Sequence, residues 1–213
     1  MNKRLSNPKH CFIALFLLGF SQSLHAEYPE FIAYAEDGIF TELEHGLILT
    51  SEQRSRLDEF KLQRSKQSRY FAAYAQSPGG QWGRTGSYNT LSAAKTEAIS
   101  RCEWQISYGK EQGYITHNPG TCRVLAVILP TGYSETDTVT LGYSASKGYR
   151  RFLEKGSPKA FAVGNQHNWA SNHNAKSIEW ARQRAMKTCL GEGVYPQSQL
   201  PTGETCVIIA EQK

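Results

Sequence analysis

The chain has 213 residues, five cysteines and a formal charge of +5. Part of that charge belongs to a leader: Lys3, Arg4 and Lys9 fall within the first 26 residues, and without them the balance is only +2. A charge this small gives no strong case for nucleic acid or an acidic membrane surface as a partner.

Residues 1–26 read as a secretory signal peptide. A basic start of Lys3, Arg4, Lys9 and His10 leads into the ten-residue apolar run Cys11 to Phe20, broken only by Gly19. Leu24-His25-Ala26 then ends on a small residue suited to cleavage. A helix needs roughly 20 apolar residues to cross a bilayer, so the expectation is a cleaved leader. The mature protein is expected to be periplasmic or secreted, with no transmembrane segment. Cys11 precedes the apolar run rather than ending it, which does not suit a lipid-anchored cysteine.

Residues 27–69 form an N-terminal helical lead. Thr50-Ser-Glu-Gln53 resembles a capping box, and Leu57, Phe60 and Leu62 then make a short apolar stripe among basic residues. The stripe is read as an amphipathic helix packed on the domain, with a partner-binding or membrane-surface helix as the alternative.

Two stretches then repeat each other: unit one over residues 70–130 and unit two over residues 159–213. In the first, Phe71-Ala72-Ala73 is followed by Trp82, Cys102 and Cys122; in the second, Phe161-Ala162-Val163 is followed by Trp169, Cys189 and Cys206. Each unit is predicted as strand, strand, helix, strand. Tyr70 to Ala75 reads as a buried strand, Ser77-Pro-Gly-Gly80 as a turn and Gln81 to Ser87 as the return. In unit two the strand is Phe161 to Val163 and the turn is Gly164 to Asn168, with Trp169 opening the return.

Counted from the tryptophans without a gap, Thr90 aligns with Ser177, Leu91 with Ile178, Ala94 with Ala181, Ala98 with Ala185 and Cys102 with Cys189. The hydroxyl residues are candidate N-caps, and the other four pairs mark one face of an α-helix. Alanine at two of these positions lets the helix backbone approach a sheet closely. The last strand is Cys122 to Leu129 in unit one and Cys206 to Ala210 in unit two; β-branched residues and a lack of charge mark both as central and buried.

The mature chain keeps four cysteines, which in an exported protein read as a disulfide framework. Four cysteines allow three pairings. The repeat favours Cys102–Cys122 and Cys189–Cys206, because each unit then closes its own bridge. A bridge over loops of this length stabilises by roughly 3 kcal/mol on the chain-entropy model. A zinc site is the competing reading, and the cysteines lack the close spacing it favours.

The connector, residues 131–158, is predicted to add a strand over Thr138 to Tyr143. A short helix is expected over Ser146 to Leu153, with Tyr149, Phe152 and Leu153 on its apolar side. Each unit alone is small for a stable core. The fold class expected is therefore a single α+β body of two tandem units, with antiparallel sheet, helices on one face and one bridge per unit.

Unit two resembles a family of small exported bacterial proteins known mainly as a domain of unknown function. The residues that carry the resemblance are Lys159-Ala160-Phe161-Ala162, Trp169-Ala170-Ser171, the alanine-bearing helix ending in Cys189, and Cys206-Val-Ile-Ile-Ala210. The likeness is clearest over 158–210 and weaker over 70–128. It departs at Asn172, where a glycine is usual. Some similar proteins carry an aminolevulinate synthase label. That chemistry needs a pyridoxal phosphate pocket with a Schiff-base lysine in a much larger fold, so the label is not carried over, and no cofactor is expected.

No nucleophile elbow, Walker loop, dinucleotide fingerprint or His-Glu-x-x-His helix occurs in the sequence. His167 and His173 flank Trp169 and read as hairpin decoration, with a metal or ligand role as the alternative; no metal site is assigned. Trp82 and Trp169 occupy equivalent places and read as a repeated core element. With Tyr88, Tyr108 and Tyr114 they are also candidates for a sugar- or peptide-stacking surface. The candidate binding residues are thus Trp82, Tyr88, Tyr108, Tyr114, His167, Trp169 and His173, and none is assigned a catalytic role. The function expected is a non-catalytic binding protein of the cell envelope, with an unknown protein or envelope polymer as partner. An envelope hydrolase using Glu103, His117 or His173 is the alternative, and a purely structural envelope protein the third reading.

Overall fold

A computed structural model of the chain describes residues 38–43, 45–65, 70–135, 139–192 and 204–213. The expected leader and most of the early lead lie outside these residues. The fold is mixed α+β, with antiparallel sheets and two disulfides. No helix among the described residues is long and apolar enough to cross a membrane.

The first sheet has strand order β1-β4-β2-β3, made of β1 (Gly38–Glu42), β2 (Ala72–Gln76), β3 (Trp82–Arg84) and β4 (Arg123–Pro130). The second has order β6-β5-β7, made of β5 (Lys159–Gly164), β6 (Trp169–Asn172) and β7 (Cys206–Gln212). Strand β1 comes from the lead, which was expected to be helical. It pairs antiparallel with β4, from Gly38 opposite Pro130 to Glu42 opposite Ala126.

Helices α2 (Leu91–Glu111) and α4 (Ile178–Cys189) follow the expected register. The Thr90 hydroxyl accepts from the Ala93 N–H at 3.2 Å, and the Ser177 hydroxyl from the Trp180 N–H at 3.2 Å, so each caps its helix. Leu91, Ala94, Ala98 and Cys102 are buried on one face, as are Ile178, Ala181, Ala185 and Cys189 on the other helix. Each stripe ends at a bridge, Cys102–Cys122 and Cys189–Cys206, with Cα atoms 6.1 and 6.2 Å apart. The helix is thereby tied to the start of the strand it packs on.

Both sheets carry a helix on their second face as well. Helix α1 (Ser51–Ser65) buries Leu57 and Phe60 against Ala72, Tyr74 and Ala126, while α2 covers Ala73, Ala75 and Val127 on the opposite side. Helix α3 (Tyr143–Leu153) buries Tyr149 and Phe152 against Phe161 and Val163, while α4 covers Ala160 and Ala162. The capping box forms as expected: the Gln53 N–H donates to Thr50 Oγ1 at 3.3 Å, and the Thr50 N–H to Gln53 Oε1 at 2.9 Å. Leu62 is not part of the buried stripe. It is 56% exposed, because two residues past Phe60 is more than half a turn round the helix.

The strand expected over Thr138 to Tyr143 does not form. Residues 139–142 are not strand and α3 begins at Tyr143, three residues earlier than expected; Thr138 lies outside the described residues. Leu153, expected on the apolar side, is exposed at the last position of α3; the buried stripe runs through Ala145, Gly148, Tyr149 and Phe152. The return strand of unit one is also shorter than expected, three residues in β3.

The strand registers of the two units correspond, but with a shift from the match the sequence suggests. Phe71 does not match Phe161. Opposite Trp82 stands Gln76 and opposite Trp169 stands Val163, which places Tyr74 in register with Phe161. A bulge follows both residues: Tyr74 pairs with Ala126 and Ala75 with Val124, while Phe161 pairs with Ala210 and Ala162 with Ile208. The rings agree as well. Phe60 lies 5.6 Å from Tyr74, which stacks on Trp82; Phe152 lies 5.5 Å from Phe161, which stacks on Trp169. Phe71 instead turns to the α2 side, at φ +52°, against Tyr133.

At one position the units differ by a methyl group. Gly83 occupies in β3 the place that Ala170 holds in β6. A Cβ on Gly83 would meet the Ala98 carbonyl and stand 2.6 Å from the Cys102 nitrogen, so the α2 backbone lies directly on the strand. Gly83→Ala is expected to destabilise by about 1–3 kcal/mol, as overpacking does. A chemical melt with an unchanged midpoint would show that α2 gives way freely.

Candidate functional site

The predicted site residues separate into two kinds. Trp82 and Trp169 are half-buried at the sheet edges, each stacked on the aromatic of the neighbouring strand. Trp169 is further fixed by its indole N–H, which donates to Ser144 Oγ at 3.0 Å, and by Gly148 of α3 lying against its ring. Tyr88 is buried. Its ring centre lies 4.2 Å from that of His167, and burial pushes its hydroxyl pKa up to about 12. His167 is exposed at the rim of this contact. Desolvation against Tyr88 and the nearby Arg101 charge hold its pKa below the ordinary histidine value, partly offset by Glu97.

Tyr108 and Tyr114 are exposed, at 46% and 78%. Tyr108 has a partner that sequence reading passed over. Trp104, 64% exposed, stands four residues earlier on α2, and the two rings stack at 5.3 Å with planes 13° apart. The signal was present: Trp104 lies off the Leu91–Ala94–Ala98–Cys102 stripe, on a face of the helix that has no core to fill. Tyr114 follows in the loop after α2. Glu103 and His117 are exposed on α2 and in that loop, and His173 is exposed after β6. Among the described residues, no hydrogen bond or ion pair joins Glu103, His117 and His173.

The junction between the units makes a second surface. Asn89, 1% exposed, donates from Nδ2 to the carbonyls of Gly164 at 2.8 Å and Asn168 at 2.9 Å. Its Oδ1 accepts from the Gly142 N–H at 3.0 Å, and its own carbonyl accepts from the Thr140 hydroxyl at 2.6 Å. Thr90 adds a bond to the Asn165 carbonyl at 3.1 Å. An open cleft of about 560 Å³ lies over this junction, between the first turns of α2 and the Asn165-Gln166 turn. Its walls are mainly hydroxyl and amide groups, with Glu97 as a charged member.

No family model, curated protein or solved structure matches the chain. The chemistry of its surfaces therefore has to come from their geometry.

Glu204 sits at the far side of this junction. Its Oε1 accepts from the Gln166 N–H at 3.2 Å, and its Oε2 is buried with no hydrogen-bond partner among the described residues. Burial raises its pKa, opposed by the Gln166 hydrogen bond. A carboxyl whose folded-state pKa is raised contributes its stability below the unfolded value and loses it as pH rises through the folded value. Glu204→Gln keeps the acceptor for Gln166 and cannot ionise. Thermal melts from about pH 4 to about pH 8 are expected to show the variant gaining on the native chain as pH rises. Parallel pH profiles for the two would show that Glu204 ionises as freely folded as unfolded.

Proposed function

We propose that this chain is an exported, non-catalytic binding protein of the bacterial cell envelope, engaging another protein or an envelope polymer. The observation that carries the reading is the exposed Trp104–Tyr108 stack with Tyr114 close behind it. Large aromatics left in water are a cost to an isolated domain and an asset at an interface, where they supply most of the contact energy. The helix beneath them is braced at Cys102, one residue short of Glu103 and two short of Trp104, so the pair is presented on a rigid support.

Export is supported by the leader-like start and by the two bridges, since disulfides persist in oxidising compartments. The resemblance of 158–210 to the small exported family of unknown function agrees with the same placement. All four cysteines of the mature chain are bridged, which leaves no thiolate for nucleophilic catalysis.

The test is co-sedimentation of the pure, oxidised mature protein with isolated cell-wall sacculi and with solubilised envelope fractions. Trp104→Ala combined with Tyr108→Ala is expected to weaken capture about tenfold or more while leaving the melting temperature in place. Turnover of cell-wall glycan or peptide by the pure protein would replace this reading with the hydrolase, if Glu103, His117 or His173 variants abolish it. A deletion that alters envelope integrity, with no capture in either assay, would favour the structural role.

A further inference from the structure

We propose that the cleft beside the β2–β3 turn is a binding site for a neutral saccharide, held by amide and indole N–H donors around Trp82. The cleft has a volume of about 570 Å³ and lies between the first turn of α1, the turn 77–81 and Gln105 of α2. It is separate from the Trp104–Tyr108 surface in the residues it uses.

The donors are oriented by their own neighbours. Gln81 Oε1 accepts from the Ser77 hydroxyl at 2.7 Å, and Gln105 Oε1 accepts from the Trp82 backbone N–H at 3.1 Å. With the oxygens engaged, both Nε2 groups are left without an acceptor among the described residues, and so is the indole N–H of Trp82. Gln76, opposite Trp82 on β2, repeats the pattern in the core and does not line the cleft. It is fully buried, its Oε1 accepts from the Tyr74 hydroxyl at 2.7 Å, and its Nε2 has no partner among the described residues. Of these groups only Gln76 Nε2 is buried away from water; the Gln81, Gln105 and Trp82 N–H groups are half-buried and free to meet a ligand in the cleft.

The equivalent place in unit two is closed. There Ser144 takes the Trp169 indole N–H at 3.0 Å, and Gly148 brings α3 down onto the ring. In unit one the side chains of α1 turn to the backbone of the turn instead. Gln53 Nε2 donates to the Pro78 carbonyl at 3.1 Å and Arg56 Nη1 to the Gly80 carbonyl at 3.1 Å. The same scaffold thus fills one tryptophan site with its own helix and leaves the other lining a cleft.

The ligand class follows from charge and shape. Arg56 is paired with Glu52, and Arg84, over the Trp82 ring at 5.3 Å, is paired with Glu59 at 3.4 Å. The cationic groups are therefore neutralised, and an anion gains little here. What remains is a set of N–H donors beside an aromatic edge, which suits the hydroxyl, ring and acetamido oxygens of a sugar. A peptide adding as a further strand is disfavoured, because the Trp82 backbone N–H it would use is already taken by Gln105.

The experiment titrates the full mature, oxidised protein with a soluble β-1,4-linked N-acetylglucosamine oligomer, followed by calorimetry and by the Trp82 indole N–H resonance. Saturable binding is expected, with a shift of that resonance. Trp82→Phe keeps a ring on Tyr74 and removes the N–H, and Gln81→Ala removes one amide; each is expected to weaken binding about tenfold. The Trp104→Ala/Tyr108→Ala variant is expected to bind the sugar as the native chain does, so this proposal and the envelope-capture reading fail separately. If Trp82→Phe does not fold, Gln81→Ala alone decides. No saturable binding of the oligomer, binding untouched by Gln81→Ala, or a preference for extended peptides would each overturn the assignment.

Discussion

Asn89→Ala is expected to lower the unfolding free energy by about 3–4 kcal/mol, the largest effect of any single polar substitution in the described residues. The side chain holds three hydrogen bonds in a site that is 1% exposed, to Gly164, Asn168 and Gly142. Alanine takes the amide partner from the Gly164 carbonyl and the Gly142 N–H, while the Asn168 carbonyl keeps the Gly164 N–H at 2.8 Å; the loss exceeds the net worth of the bonds because the orphaned groups stay desolvated. The three partners belong to the unit-two turn and to the start of α3, so the damage falls on the seam between the units. Asp in the same place keeps an acceptor for Gly142 but faces two carbonyls with a carboxylate, and is expected to be no milder. Lys176, which holds the corresponding place before α4, is exposed. Lys176→Ala is expected to change stability by about 0.5 kcal/mol or less. Urea melts of the two variants decide the matter: equal midpoints would mean that Asn89 does not hold the seam.

Removal of either disulfide by paired Cys→Ser substitution is expected to destabilise by about 2–5 kcal/mol. Both bridges are buried, with Cys102 at 0% and Cys189 at 1% exposure, and each joins the end of a helix stripe to the last strand of its unit. Cys122 stands just before β4, an inner strand, whereas Cys206 opens β7, which was expected to be central and buried but lies at the sheet edge with Val207 55% exposed. The enclosed loops span sequence separations of 20 and 17, so the two are expected to act with similar strength on the unfolded chain. Their loss differs in what else supports the element. Helix α2 covers a sheet that β1 and α1 also bind, whereas α4 covers a three-stranded sheet with α3 alone on its other face. The Cys189→Ser/Cys206→Ser variant is therefore expected to be the less stable of the two, measured by thermal melting under oxidising conditions. A native chain that melts at the same temperature with and without reductant would remove the bridges from the account.

The repeat helices were legible from sequence because all that defines them is local. A capping hydroxyl, then apolar residues three or four apart, places one helix face without reference to the rest of the chain. The bridges were legible for another reason: each duplicated unit carries two cysteines and can close its own bridge. The strands were not. Tyr70 to Gln76 is apolar at nearly every position, so period-two alternation gives no face preference, and Phe71 looked like the match to Phe161. Only the pairing shows that Tyr74 takes that role: it stands opposite the same strand position and precedes the same bulge. Sequence spacing did hold the answer, since Tyr74 precedes Trp82 and Phe161 precedes Trp169 by the same interval. Strand β1 was hidden because Gly38–Glu42 alternates only partly and gains its place from the β4 edge.

The candidate surfaces divide in the same way. That Trp82 and Trp169 are equivalent follows from the chain alone, and so does the polar setting of Tyr108 and Tyr114. That one tryptophan is closed by Ser144 and Gly148 while the other lines a cleft depends on how α1 and α3 lie over their sheets. Local periodicity sets the helix faces and the caps, because these involve neighbours a few residues apart, and the duplicated spacing points to the cysteine pairs, which lie 20 and 17 residues apart. The second layer of helices, the seam around Asn89 and the open cleft at Trp82 join residues far apart in sequence, and long-range packing alone selects among the arrangements that local rules permit.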